Sequence, residues 1–345
     1  MSKMEDLLKQ KEEIESAIQA EFIRERDAAT MGDAAAEYNL GVMYHQGQGV
    51  KINYPEALRF FKLSASKTFS EAQFKLGLMF ENGQGVTAAD EEALSWYKLA
   101  AEQGHVEAHL NSGVIYERLK GAKQDYAQAM RSYKFSAEHG NIDAKFHIGC
   151  MYENHHGVEQ DYAEAVRWFR QASELGHTEA YFRLGVIYSD GLEVKQDYAE
   201  AIRCYRLAAA QGHAGAQVNL GLMYDNGEGV SQSYSEAMRY YKVAALRGNA
   251  DAQSKVGIMF SNGKGVKQDD AEALRWYKLA AAQDHAAALS NLGFMYEHGR
   301  GVEADDRQAL MWFNKAAKKG DLNAAKIRDM IEARLAAQER PKGAK

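Results

Sequence analysis

Cysteine is scarce in this sequence: Cys150 and Cys204 are the only two among 345 residues. They fall in different copies of a repeating pattern and at different places within it, so no recurring disulfide framework can be drawn. Disulfide-dependent proteins belong to oxidising compartments, and this scarcity therefore favours a reducing one.

A long apolar run and an excess of positive charge are also missing. No stretch approaches the roughly 20 apolar residues of a membrane span, and the first ten residues carry charges where a signal peptide has its apolar core. The formal net charge is −6, so no overall basic field attracts nucleic acid or an anionic membrane. We expect a cytoplasmic protein whose partner is a protein or peptide; export by a route without a cleaved signal stays open.

What the sequence does contain is a glycine that recurs every 36 residues, in eight unbroken copies. They are Gly41, Gly77, Gly113, Gly149, Gly185, Gly221, Gly257 and Gly293. Alanine stands five residues before each glycine, Met or Ile two residues after it, and Tyr or Phe three residues after it. These residues share one face of an amphipathic helix, helix A. A fixed period of this length is the signature of a solenoid.

A second helix follows the first in each repeat. Gly-x-Gly-Val ends helix A in five copies and predicts a C-cap with a tight turn. The phrase Tyr-x-Glu-Ala-x-x-Trp-Tyr-Lys-x-Ala-Ala then predicts helix B, and an Asn, Asp or His opens the next helix A. A mid-helix glycine costs about 1 kcal/mol against alanine, so we expect a gain in close helix packing, with a facing alanine such as Ala57, Ala93 or Ala201.

These phrases resemble the Sel-one-like repeat (SLR) family, relatives of tetratricopeptide repeats, over about residues 33–328. The resemblance implies an all-α, right-handed α-solenoid or superhelix, with helix A on the concave side and a scaffold or adaptor function. We divide the chain into an N-terminal capping helix (1–32), eight repeats (33–320), and a C-terminal capping helix with a basic tail (321–345). Repeat three lacks the first turn glycine, and repeat four has His155 and His156 there.

The position two residues before each glycine holds an amide or basic side chain in all eight repeats. These residues, the helix A ladder, are Asn39, Lys75, Asn111, His147, Arg183, Asn219, Lys255 and Asn291. Amides can bracket a peptide bond and cations suit a carboxylate, so we predict a peptide-binding ladder in the concave groove. The alternative is surface charge pairing worth about 0.2–0.5 kcal/mol per pair. Three such i,i+4 pairs are Glu71–Lys75, Glu179–Arg183 and Asp251–Lys255.

Helix B carries a basic strip that resembles a phosphate-binding surface. Glu56, Glu164, Glu200, Glu236 and Glu272 each stand three residues before an arginine of this strip, so ordinary charge pairing is the favoured interpretation. Metal binding by His105, His109, His147, His155 and His156 is disfavoured. Four histidines recur at one helix-start position, which indicates a feature of the repeat: His105, His177, His213 and His285. The Ser-x-x-Lys match at Ser64–Lys67 has no partner motif.

We therefore predict a non-enzymatic protein-interaction scaffold that binds a peptide or extended segment and needs no cofactor or metal. We expect a monomer rather than an oligomer. The alternative from a different class is a self-assembling structural module that uses the N-terminal helix, residues 3–28, as a coiled-coil handle. Its apolar stripe contains Leu7, Ile14, Ile18 and Phe22.

Overall fold

Each 36-residue period folds as a pair of α-helices. The structure, a computed structural model, describes residues 2–121 and 124–338, in which there are eighteen helices and no strand. The helices are α1 (Ser2–Thr30), α2 (Ala34–Gln46), α3 (Tyr54–Ser66), α4 (Ser70–Asn82), α5 (Asp90–Ala101), α6 (Val106–Arg118), α7 (Tyr126–Glu138), α8 (Ile142–Glu153), α9 (Tyr162–Glu174), α10 (Thr178–Asp190), α11 (Tyr198–Ala210), α12 (Ala214–Asn226), α13 (Tyr234–Leu246), α14 (Ala250–Asn262), α15 (Asp270–Ala281), α16 (Ala286–His298), α17 (Asp306–Lys318) and α18 (Leu322–Gln338).

The predicted all-α chain of helix–turn–helix repeats is confirmed, with α2 to α17 forming the eight pairs. Two compact units divide the chain: residues 1–175 hold α1 to α9, and residues 176–345 hold α10 to α18. In the first unit, Ile18 and Phe22 of α1 pack against α2. In the second, Ile331 of α18 belongs to the core of the last repeat. Residues 339–345 of the predicted basic tail lie outside the described residues.

Helix A ends as the turn motif predicts. In six repeats the C-cap is a glycine in the left-handed conformation: Gly47, Gly83, Gly191, Gly227, Gly263 and Gly299. The two exceptions are Leu119 and Asn154, in the repeats whose turns depart from the motif. Glycine is favoured there because a side chain destabilises this backbone conformation.

The start of helix A explains the recurrent histidines. At His105, His177, His213 and His285 the ring Nδ1 accepts the amide N–H of the residue three positions on, at 3.0–3.2 Å. Asn141 and Asn249 do the same with their side-chain oxygens. Histidine therefore acts as an N-cap here, satisfying an amide that the helix itself leaves unpaired.

The repeat glycine allows close contact between helices A and B, as predicted, but its neighbour is not alanine. A Cβ built on Gly77 would lie 2.4 Å from the Tyr97 ring, and one on Gly185 would lie 2.5 Å from the Tyr205 ring. Phe61, Tyr133, Phe169, Tyr241, Tyr277 and Phe313 occupy the same place in the other repeats. The prediction of a facing Ala57, Ala93 or Ala201 was wrong: the ring four residues further along helix B fills the space.

Candidate functional site

The eight ladder residues lie on helix A at the edge of the core. Asn39 is exposed and the other seven are half-buried, so each side chain reaches the surface. The first four belong to the first unit and the last four to the second. Within a unit they repeat at the same place in successive helices A, namely α2, α4, α6 and α8, and then α10, α12, α14 and α16.

Several ladder residues contact the tyrosine that packs on the repeat glycine of the preceding repeat. The Asn219 amide donates to the Tyr205 hydroxyl at 3.0 Å, and Asn111 lies beside the Tyr97 hydroxyl. The His147 ring stacks on Tyr133, with 4.9 Å between ring centroids and a 9° interplanar angle. These ladder residues therefore also support the fold, a role that was not expected from the sequence.

A second row of polar side chains lies beside the ladder, four residues after each glycine. Its members are His45, Glu81, Glu117, Glu153, Ser189, Asp225, Ser261 and Glu297, all partly or fully buried. We call the five acids among them the carboxylate row. Sequence reasoning missed this row, although the same 36-residue period marks it.

Two members of the carboxylate row accept hydrogen bonds from core tyrosines. The Tyr97 hydroxyl donates to Glu81 Oε2 at 2.7 Å, and the Tyr133 hydroxyl donates to Glu117 Oε2 at 2.6 Å. Burial raises the pKa of both phenols, and the neighbouring carboxylates raise it further. Both hydroxyls therefore stay protonated and hold the carboxylates in place at neutral pH.

Basic side chains connect this row to neighbouring repeats. Arg118 pairs with Glu81 at 3.1 Å and with Asp90 at 2.6 Å. Arg334 of α18 similarly pairs with Glu297 at 3.1 Å and with Asp306 at 2.6 Å. The carboxylates of these two repeats are thus partly neutralised within the protein.

The cations of the ladder differ in their surroundings. Arg183 pairs with Glu179 at 3.1 Å, as one of the three predicted pairs requires. Asp251 instead meets His285 Nε2 at 2.8 Å. In the described part of the chain no carboxylate lies within 4 Å of the Lys75 or Lys255 ammonium group. Lys75 and Lys255 thus differ from Arg183, which has an ion pair within the protein.

The basic strip of helix B is paired as expected. Each of five arginines meets the glutamate three residues before it, at 2.6–3.5 Å. They are Arg59, Arg167, Arg203, Arg239 and Arg275. Ser64 of the Ser-x-x-Lys match is fully buried and donates to the Ala34 carbonyl at 2.7 Å. Within residues 2–121 and 124–338, no three His, Cys, Asp or Glu side chains form a group that could hold a metal.

The repeat geometry agrees with the comparison with known proteins. The Sel1 repeat profile matches eight consecutive segments: 34–69, 70–105, 106–141, 142–177, 178–213, 214–249, 250–285 and 286–321. The chain belongs to the Sel1 repeat family. Sel1 repeats form an α-solenoid related to tetratricopeptide repeats, a class of protein that generally serves as a scaffold for protein interactions.

Solved structures of Sel1 repeat proteins resemble this chain over most of its length. A Sel1 repeat protein from Oxalobacter formigenes is 30% identical with a TM-score of 0.76, covering 89% of this chain and 90% of its own. The c5321 protein, a protective antigen present in uropathogenic Escherichia coli strains, is 32% identical with a TM-score of 0.57, covering 92% of this chain and 76% of its own. Yeast Tom70, 14% identical with a TM-score of 0.50, covers 90% of this chain and 66% of its own and is similar in fold alone. None of the curated proteins matches the chain.

No helix in the described residues is both long and apolar enough to cross a membrane.

Proposed function

We propose that this Sel1 repeat protein is a non-enzymatic scaffold whose helix A ladder binds an extended segment of a partner protein. The observation that carries the proposal is the ladder itself: eight amide or basic side chains occupy one slot in successive repeats, and all reach the surface. Amide groups bind peptide N–H and C=O groups irrespective of sequence. A regular row of them suits an extended main chain.

The lysines of the ladder and the carboxylate row beside it supply selectivity in this proposal. Lys75 and Lys255 have no carboxylate partner of their own in the described residues, so each can pair with an acidic side chain of the bound segment. The carboxylate row beside them disfavours closely spaced acids, because like charges repel at short range. The proposed ligand is therefore an extended segment with isolated acidic residues.

The test compares two charge-matched double variants of the full chain in quantitative pull-downs from native lysate. Lys75→Ala with Lys255→Ala removes the ladder cations. Lys134→Ala with Lys242→Ala removes two exposed helix B lysines, one from each unit. We expect the ladder variant to lose at least about tenfold in recovery of the partner, the effect of about 1.4 kcal/mol, with an unchanged melting temperature. Recovery that falls only in the helix B variant would assign recognition to the other face.

A second candidate function, self-assembly through α1, rests on the exposure of its apolar residues. Leu7, Leu8 and Ile14 are 56%, 56% and 60% exposed. Light scattering of the full chain and of a Leu7→Ser, Ile14→Ser variant distinguishes the two functions. A dimer that dissociates in the variant supports self-assembly, whereas a monomer in both cases excludes it.

A further inference from the structure

A cavity of about 310 Å³ lies between two helices B of the second unit, α11 and α13. Arg206, Ala209 and Ala210 line it from α11, Arg239, Tyr240 and Val243 line it from α13, and Gln217 lines it from α12. Its volume is at the lower end of the range for ligand pockets, about 300–1,000 Å³. Such a cavity accommodates one large side chain.

Gln217, which lines the cavity, carries a buried hydrogen-bond acceptor without a donor. The residue is only 4% exposed, and its Oε1 has no hydrogen-bond partner. Its amide nitrogen is directed to the Ala209 carbonyl at 3.4 Å. A buried acceptor without a donor destabilises a protein, and native structures rarely contain one without a reason.

The equivalent glutamines of other repeats show what is missing. Gln73 Oε1 accepts from Gln103 at 2.6 Å, and Gln253 Oε1 accepts from Gln283 at 2.9 Å. In the repeat of Gln217 the corresponding donor position is occupied by Arg247, which donates instead to the Gly212 carbonyl at 3.0 Å. The acceptor beside the cavity is therefore open as a result of one sequence difference.

Arg206 adds an uncompensated positive charge to the cavity wall. Its guanidinium donates to the Tyr224 hydroxyl at 2.9 Å, and no carboxylate in the described part of the chain pairs with it. Arg239, in contrast, is held by Glu236 at 2.7 Å. The lining thus combines apolar side chains, one buried acceptor without a donor and one cation without a carboxylate partner.

We propose that this cavity binds a tyrosine or tryptophan side chain from an acidic segment of a partner protein. The O–H or N–H of that side chain donates to Gln217 Oε1, and its ring packs against Ala209, Ala210 and Val243. A neighbouring carboxylate of the segment pairs with Arg206. This site is separate from the helix A ladder and does not depend on it.

The experiment uses the full chain and a fluorescent, end-capped pentapeptide Glu-Asp-Tyr-Asp-Glu, with binding measured by anisotropy. The same peptide with Phe for Tyr lacks the donor, and one with Lys for each acid lacks the carboxylates. We expect millimolar or tighter binding of the first peptide, and a loss of about five- to tenfold for each of the others, as the removal of one polar contact predicts.

Three single variants and a control locate the site. Gln217→Leu removes the acceptor. Leucine is compatible with this position, because the eighth repeat has the fully buried Leu289 there. Arg247→Gln supplies the missing donor, as Gln283 does in the seventh repeat. Both should weaken binding of the tyrosine peptide about five- to tenfold without lowering the melting temperature, and Arg206→Ala should weaken it similarly. Lys242→Ala, an exposed change outside the cavity, should have no effect.

Three results would overturn the proposal. They are no binding of the tyrosine peptide at millimolar concentration, equal binding of the phenylalanine peptide, and unchanged binding by the Arg247→Gln variant. The first would mean that a ligand in the cavity does not reach the buried Gln217 Oε1. Since Lys75 and Lys255 take no part in the peptide test, its result is independent of the ladder experiment.

Discussion

The contact between each repeat glycine and a ring of helix B is a residue-scale determinant of the fold. In Gly185 the missing side chain leaves room for Tyr205, which is only 2% exposed. Gly185→Leu should therefore overpack this contact and cost about 3 kcal/mol or more. The same change at the exposed Asp329, the ninth position in the register, should stay within about 0.5 kcal/mol. Urea unfolding monitored by circular dichroism measures both, and equal midpoints would contradict the packing explanation.

The histidine caps make a second residue-scale prediction. His285 Nδ1 accepts the Ala288 amide at 3.2 Å, and the chain uses asparagine for the same purpose at Asn249. His285→Ala should cost about 1 kcal/mol, whereas His285→Asn should cost only a small fraction of that. The melting temperatures of the two variants measure this difference in stability. Similar losses in both would show that the ring contributes through other contacts, such as that with Asp251.

At the residue scale, the sequence predicted that the repeat glycine allows close packing of helices A and B, but it did not predict which residue of helix B packs there. Spacing along helix A shows which face is apolar, whereas the rotation of helix B decides whether Ala201 or Tyr205 meets Gly185. The carboxylate row was missed for a related reason. An acid such as Glu117 looks like surface charge until the Tyr133 hydroxyl is seen to reach it at 2.6 Å. The sequence shows that Arg247 replaces the glutamine donor of other repeats, but only the structure shows that its guanidinium donates to the Gly212 carbonyl and leaves Gln217 without a donor.

Consecutive helix pairs meet, at the element scale, at the second glycine of the turn in five repeats, as at Gly265 and Gly301. A Cβ on Gly265 would lie 2.4 Å from the Tyr234 carbonyl oxygen at the start of α13. A Cβ on Gly263, with nearly the same φ, would come no closer than 3.3 Å to its nearest neighbour. The turn motif predicted both glycines as turn residues. It could not distinguish the one that fits against the preceding repeat, since that contact is made across about 30 residues of chain.

These two glycines form a matched pair for mutation. Gly263→Ala should cost about 1–2 kcal/mol, the price of a side chain in the left-handed region. Gly265→Ala should cost at least about 1 kcal/mol more, because the backbone of α13 cannot retreat without disturbing the helix. Urea midpoints of the two single variants test this difference. If the two midpoints coincide, the turn of one repeat does not pack tightly against helix B of the preceding repeat.

At the scale of the whole molecule, neighbouring repeats within a unit share their cores rather than building separate ones. Trp276, from helix B of the seventh repeat, belongs to the same apolar cluster as Met238 and Tyr241 of the sixth. The last repeat is completed by Ile331 of α18. A repeat that shares its core this way cannot bury its apolar face alone, and about three or more are needed for a stable fold.

We therefore expect the fragment 176–345, which keeps four repeats and α18, to retain the helical circular dichroism of the full chain per residue and to unfold cooperatively. The single repeat 214–249, which loses Trp276 from its cluster, should be largely unfolded under the same conditions. A folded single repeat would mean that the contacts within one helix pair suffice and that the shared clusters contribute little. The fragment also contains every residue that lines the α11–α13 cavity. Because that cavity is built from neighbouring repeats, the tyrosine peptide should bind the folded fragment and the full chain alike, whereas the isolated repeat, without α11, should not bind it.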